Sequence, residues 1–138
     1  MVRDNISDLL TRIRNAALAR HTTTNVYYSK INLAILYLLF KKGYIQSYNF
    51  NKNLYSKPLV HVTLKYKGWW IKKPIFSIIK RISKPGKRIY ASYLNFEKKI
   101  NNLRYSHGIA IISTSNGIMS HLKAKEFKKG GEILCYIE

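Results

Sequence analysis

Three consecutive hydroxyl residues, Ser113, Thr114 and Ser115, stand between an apolar run and the turn-forming pair Asn116-Gly117. Such a cluster can do two kinds of chemistry. A serine can attack an electrophile if a base takes its proton, or the hydroxyls and backbone amides can hydrogen-bond a polar ligand at close range. The first option needs a G-x-S-x-G elbow or a recognisable lysine or histidine partner, and this segment offers neither, although His107 lies close in sequence. The four histidines, His21, His61, His107 and His121, stand far apart with no H-x-x-x-H spacing. Cys135 is the only cysteine, which excludes an intramolecular disulfide and a cysteine-based zinc site. Walker loops and paired carboxylates are absent from the sequence. The expectation is therefore a protein without catalytic residues, metal, cofactor or small-molecule substrate, whose hydroxyls read a polar ligand.

Charge says which ligand. Lysine and arginine number 25 against 6 aspartates and glutamates, a formal net of +19. A compact chain carrying that excess repels itself unless a polyanion neutralises it, so nucleic acid leads and an anionic membrane surface comes second. The longest apolar run, Leu33 to Phe40, has eight residues, whereas a spanning helix needs roughly 20. The start reads MVRDNISDLL, with two aspartates and no signal-peptide pattern, so synthesis in the compartment of use is expected. The candidate phosphate contacts gather at the turn Lys84-Pro85-Gly86-Lys87, where Lys80, Arg81 and Arg88 crowd in. A merely solvated basic turn is the alternative. Arg12 and Arg14 are further candidates, with solvated helix surface as their bland reading.

The elements that must position these groups follow from periodicity. Ile6, Leu9, Leu10, Ile13 and Ala17 recur at helical spacing and predict a helix from Asp4 to about Leu18. A short strand at 25–28 precedes Ser29, a helix N-cap. The second helix has a core stripe of Ile31, Ala34, Ile35, Leu38 and Leu39, broadened by Leu33, Leu36, Tyr37 and Phe40 so that more than one side is buried, and Gly43 ends it. Strands at 44–50 and 59–66 flank a polar loop at 51–57, the second with half-buried alternation. A segment at 75–83 precedes the basic turn, and 97–103 forms a short helix or loop. Ile109 to Ile112 is a buried strand holding the hydroxyl loop. A short helix at 122–127 follows, and Gly130-Gly131 turns into a last strand at 132–137. The predicted fold is α/β (α+β), in two small lobes. The N-terminal lobe, 1–67, is α-β-α-β-β, and the C-terminal lobe, 68–138, is mostly antiparallel β with a short helix.

With these residues in view, the chain resembles the bacterial-type eighth protein of the small ribosomal subunit. The resemblance rests on DNISDLLTRIRNA (4–16), KRISKPGKRIY (80–90), GIAIISTSNGIM (108–119) and GGEILCYIE (130–138), in that order along nearly the whole chain. It implies a two-lobed protein that binds directly to the central domain of small-subunit ribosomal RNA, sits beside other small-subunit proteins and acts in assembly without catalysis. In this family the Ser-Thr-Ser loop meets an irregular RNA helix, which assigns RNA contact to Ser113, Thr114, Ser115 and Gly117. Tyr90 and the turn at Lys84 to Lys87 match further RNA-facing positions, with Arg88 beside them an RNA contact expected from charge. Gly131 and Glu132 match the segment beside the loop, where Gly131 is expected to meet RNA and the carboxylate to order the hydroxyls. Asn116 stands where members carry lysine or arginine, and Lys67 to Lys73, with Trp69 and Trp70, departs from the family pattern.

The reading from sequence is thus a structural ribosomal protein, with an extra-ribosomal RNA-binding translational regulator as the alternative. Isoleucine, lysine, asparagine and tyrosine are abundant, as in an AT-rich organelle gene. The mitochondrial ribosome is the favoured location, with plastid or bacterial cytoplasm as alternatives.

Overall fold

The computed structural model describes residues 4–51, 57–100 and 107–138. The first unit, Asn5–Ser77, opens with α1 (Asn5–Leu18), whose buried residues Ile6, Leu9, Leu10, Ile13, Ala16 and Ala17 form the anticipated stripe. β1 (Thr23–Tyr27) leads to α2 (Lys30–Lys41). The Ser29 hydroxyl accepts the Asn32 N–H at 3.0 Å, satisfying one donor that the first turn leaves without a helical partner. Gly43 closes the helix at a φ of 82°, and the next amide, that of Tyr44, reaches back to the Leu39 carbonyl at 2.9 Å. β2 (Ile45–Asn51) and β3 (Leu59–Leu64) complete an antiparallel sheet in the order β1-β3-β2. Val60, Val62 and Leu64 are buried along β3 while His61 and Thr63 are half-buried, so one face meets the helices. α1 packs on β1, and α2 on β2.

The breadth expected of α2 is only partly realised. Leu36 joins Ile35, Leu38 and Leu39 in the core, but Ile31 is exposed, as are Tyr37 and Phe40. A three-stranded sheet and one neighbouring helix cover less of α2 than its apolar surface would allow. Sequence reasoning missed Asn32, which is buried and donates its amide to the Tyr27 carbonyl at 3.0 Å, joining the end of β1 to the start of α2.

The unit ends in a short ribbon, β4 (Tyr66–Lys67) against β5 (Lys73–Pro74). This pairing spans the expected boundary between 67 and 68, and the units divide after Ser77 instead. Residues 52–56 of the anticipated polar loop, and 101–103 of the anticipated 97–103 segment, lie outside the described residues.

The second unit comprises Asp4 and Ile78–Glu138. β6 (Ile79–Arg81), β7 (Tyr90–Ala91), α3 (Phe96–Lys99), β8 (Ile109–Thr114), β9 (Gly117–Ser120), α4 (His121–Glu126) and β10 (Gly131–Ile137) follow in order. All sheet pairings here are antiparallel, with β10 central: β6 and β7 lie on one side and the β8–β9 hairpin on the other. The core joins Phe96, Ile100, Ala110, Ile112, Met119, Ala124, Ile133 and Tyr136. Ile109 to Ile112 are all buried, as a continuous apolar run in a covered strand should be. Their burial fixes where the hydroxyls begin.

β10 carries a bulge between Ile133 and Cys135. The carbonyl of the extra residue, Leu134, accepts from the Arg81 guanidinium at 2.7 Å and from the Ile82 N–H at 3.1 Å. Cys135 is fully buried, and burial pushes its thiol up to about 12. It is a core residue with no accessible thiolate.

Candidate nucleic-acid interface

The hydroxyl cluster lies at the tip of the β8–β9 hairpin. Thr114 pairs with Gly117, leaving Ser115 and Asn116 as the turn. Gly117 has a φ of 108°, a region that residues with a Cβ rarely adopt. The Thr114 hydroxyl accepts the Asn116 N–H at 3.2 Å and donates to the Gly117 carbonyl at 2.9 Å. Its proton is therefore committed inside the turn. Ser115, Asn116 and Gly117 are exposed, while Ser113 and Thr114 are half-buried. The hydroxyls expected to act alike divide: Thr114 shapes the tip and Ser115 is presented by it.

The sheet register joins this tip to the other candidates. Glu132 on β10 faces Ser113 on one side and Tyr90 on the other. Directly opposed residues of antiparallel strands share a sheet face, so these three form a row. Gly131 precedes them where a Cβ would collide with the Ser113 carbonyl. Only glycine lets β8 and β10 approach so closely there. Tyr90 is 63% exposed, a broad aromatic surface at the edge of the row.

Glu132 also organises the basic turn. Its carboxylate accepts the Ser83 hydroxyl at 2.5 Å and the Arg88 guanidinium at 3.0 Å. Ser83, fully buried, accepts the Ile89 N–H at 3.1 Å. Between these residues Lys84 and Lys87 exchange both backbone hydrogen bonds at 3.0 Å, closing the Pro85-Gly86 turn. Burial alone would raise the Glu132 carboxyl, but the hydrogen bonds from Ser83 and Arg88, with the charges of Arg88 and Arg81, outweigh it and hold the group below its ordinary value.

Three expectations change here. The hydroxyl that Glu132 orders is that of Ser83, not one of the Ser-Thr-Ser group. Arg88 is paired with Glu132, although its side chain stays half-exposed. Arg81 turns inward to Asp4, at 3.5 Å, and to the β10 bulge, so it is not a solvent-facing cation of the turn. Lys80, Lys84 and Lys87 are exposed, as Arg88 is. Ser83 was missed, and its only sequence signal was a small polar residue two positions beyond Arg81 in strand spacing.

Arg12 and Arg14 belong to α1 of the other unit. Arg12 binds Asp8 at 2.9 Å, reaches the Asn25 carbonyl at 3.3 Å and lies 4.7 Å from the Tyr27 ring centre. That set of contacts is structural, tying α1 to β1. Arg14 is half-buried on the same helix.

Among the described residues no group of three or more His, Cys, Asp or Glu could hold a metal ion. Nor is any described helix long and apolar enough to cross a membrane. Fold and surface together define a small basic α+β protein. The ribosomal protein S8 family model matches residues 4–137, and the chain belongs to that family. It is 45% identical over 138 residues to small ribosomal subunit protein uS8c of Phaeodactylum tricornutum, covering 99% of both chains. Against small ribosomal subunit protein uS8 of Synechocystis it is 46% identical over 134 residues, 97% of this chain and 96% of the relative. The same identity over 134 residues relates it to uS8 of a Wolbachia species. The resemblance read from the four motifs therefore holds. This is a family of structural ribosomal proteins, and the chain is not an enzyme.

Proposed function

We propose that this protein is a structural constituent of the small ribosomal subunit that binds the central domain of its ribosomal RNA directly and aids subunit assembly. Its partners in this reading are that RNA and neighbouring small-subunit proteins. The observation that carries it is the Ser113–Glu132–Tyr90 row, with the hydroxyl tip at one end and the Glu132-fastened basic turn at the other. Ser115 and the backbone of Gly117 meet 2′-hydroxyls and base edges, Tyr90 offers a stacking face, and Lys84 and Lys87 take phosphates. Ser113, Thr114, Gly131 and Glu132 hold that surface in shape, and Arg88 contributes with the donors that Glu132 leaves open. Arg12 acts mainly within the protein, and Arg14 remains a proposed backbone contact.

The relatives support this reading over an extra-ribosomal regulator. Relatives of plastid and bacterial type favour a plastid or bacterial ribosome over the mitochondrial assignment drawn from composition. Crosslinking with RNA sequence readout tests the function. Crosslinks from 113–117 and 84–90 to one small-subunit RNA helix are expected, and a protein absent from the small-subunit fraction on sedimentation refutes the proposal.

A further inference from the structure

The chain has two tryptophans, and neither is in a core. Trp69 is 97% exposed and Trp70 is 95% exposed. Both sit at the tip of the β4–β5 ribbon, beside exposed Ile71. The ribbon has a defined base. Lys67 pairs with Lys73, Tyr66 pairs with Pro74, and the Tyr66 hydroxyl donates to the His21 carbonyl. Its entry is also fixed, since Gly68 has a φ of 107° and a Cβ there would strike the Ile71 carbonyl. Large indoles are ordinarily buried for most of their surface. Here the backbone holds two of them out in water.

The surrounding charge indicates what covers them. Lys67, Lys72 and Lys73 are exposed around the tip. From residue 9 to residue 96 the sequence contains no aspartate or glutamate, and Asp8, the one acid of Asn5–Ser77, is held by Arg12. An apolar cleft of a protein would use the indoles and leave the lysines without partners. Unpaired nucleotides use both, because every base has a face to stack on an aromatic ring and every linkage carries a phosphate.

We infer that the Trp69-Trp70 tip is a second RNA contact, stacking unpaired bases while Lys67, Lys72 and Lys73 neutralise the adjoining phosphates. This rests on the RNA-binding reading above but uses a different element, and it confers affinity without base identity.

The tip carries its own reporter, since all tryptophan emission arises there. The full-length protein is titrated with polyadenylate and polyuridylate, and separately with a small-subunit ribosomal RNA fragment. Saturable quenching by both polymers is expected. Trp69→Ala with Trp70→Ala weakens polyadenylate binding about tenfold by filter retention, and the double Phe variant recovers most of it. Replacing Lys67, Lys72 and Lys73 by Ala lowers the salt dependence while quenching at saturation persists. Equal polymer binding by the double Ala variant overturns the inference. So does emission that ignores RNA and shifts only when other small-subunit proteins are added. A wild-type protein that fails to bind the ribosomal fragment sinks the proposed function. One that binds it equally well after double Ala substitution sinks the stacking tip alone.

Discussion

The Ser83 hydroxyl donates to the Glu132 carboxylate across 49 residues of sequence, at 2.5 Å, and thereby fastens the basic turn to the central strand. Because Ser83 also accepts the Ile89 N–H, one buried oxygen closes the turn and anchors it. Ser83→Ala leaves that amide without its partner and the Glu132 oxygen with Arg88 alone. We expect a loss of about 1–3 kcal/mol in urea denaturation. A loss below a few tenths would mean that water replaces the hydroxyl at no cost.

Acid should loosen the same link. Folding depresses the Glu132 carboxyl, so its contribution is complete above the ordinary glutamate value and is lost as pH falls through the depressed one. The urea midpoint of the wild type therefore declines on acidification past the ordinary glutamate range. Glu132→Gln starts from a lower midpoint at neutral pH and declines less. Parallel curves for the two proteins would remove Glu132 from the acid response.

At the hairpin tip, Thr114 and Ser115 should fail differently. Ser115→Ala deletes an exposed hydroxyl and weakens binding to the cognate RNA about fivefold, with unchanged stability. Thr114→Ala removes the bridge between Asn116 and Gly117, so it costs both affinity and about 1 kcal/mol of stability, and Thr114→Ser restores both. Neither changes the slope of affinity against salt, since no phosphate contact is lost.

Lys84 and Lys87 should show the opposite pattern. Replacing either by Ala lowers the salt slope by about one unit and weakens all RNA sequences alike. Titrations at several salt concentrations separate this from the hydroxyl variants, and a steeper slope after lysine removal would contradict the phosphate role.

Gly131→Ala tests the close approach of β8 and β10. The added methyl meets the Ser113 carbonyl, which is backbone and cannot swing aside. A destabilisation of about 2 kcal/mol or more is expected, with disturbed RNA binding even where the protein remains folded. Thermal melts and binding below the transition check both. A neutral substitution would show that the strands separate freely.

Much of this frame was legible because its signals are local. The α1 stripe, the Ser29 cap, the Gly43 stop and the alternation along β3 each depend on residues within a few positions. A turn beside Asn116 was readable for the same reason, although it falls at Ser115-Asn116 with Gly117 already paired in the strand, and the inward commitment of the Thr114 hydroxyl was not readable. The partners that Arg81, Arg88 and Glu132 find across β10 depend on sheet register, which brings together residues 44 to 53 positions apart. Composition could count those cations but could not say which were paired. Ile31 misled for a related reason: helical spacing identifies an apolar face without saying how much of it a neighbour covers.

The Thr114 bridge has one more consequence. A turn that satisfies its own amide and carbonyl before any ligand arrives has little freedom left to lose. On the proposed interface, the adjustment falls to the nucleic acid, which must reach a compatible shape before it is captured. The geometry of a single threonine would then keep the hairpin tip in one shape before and after contact.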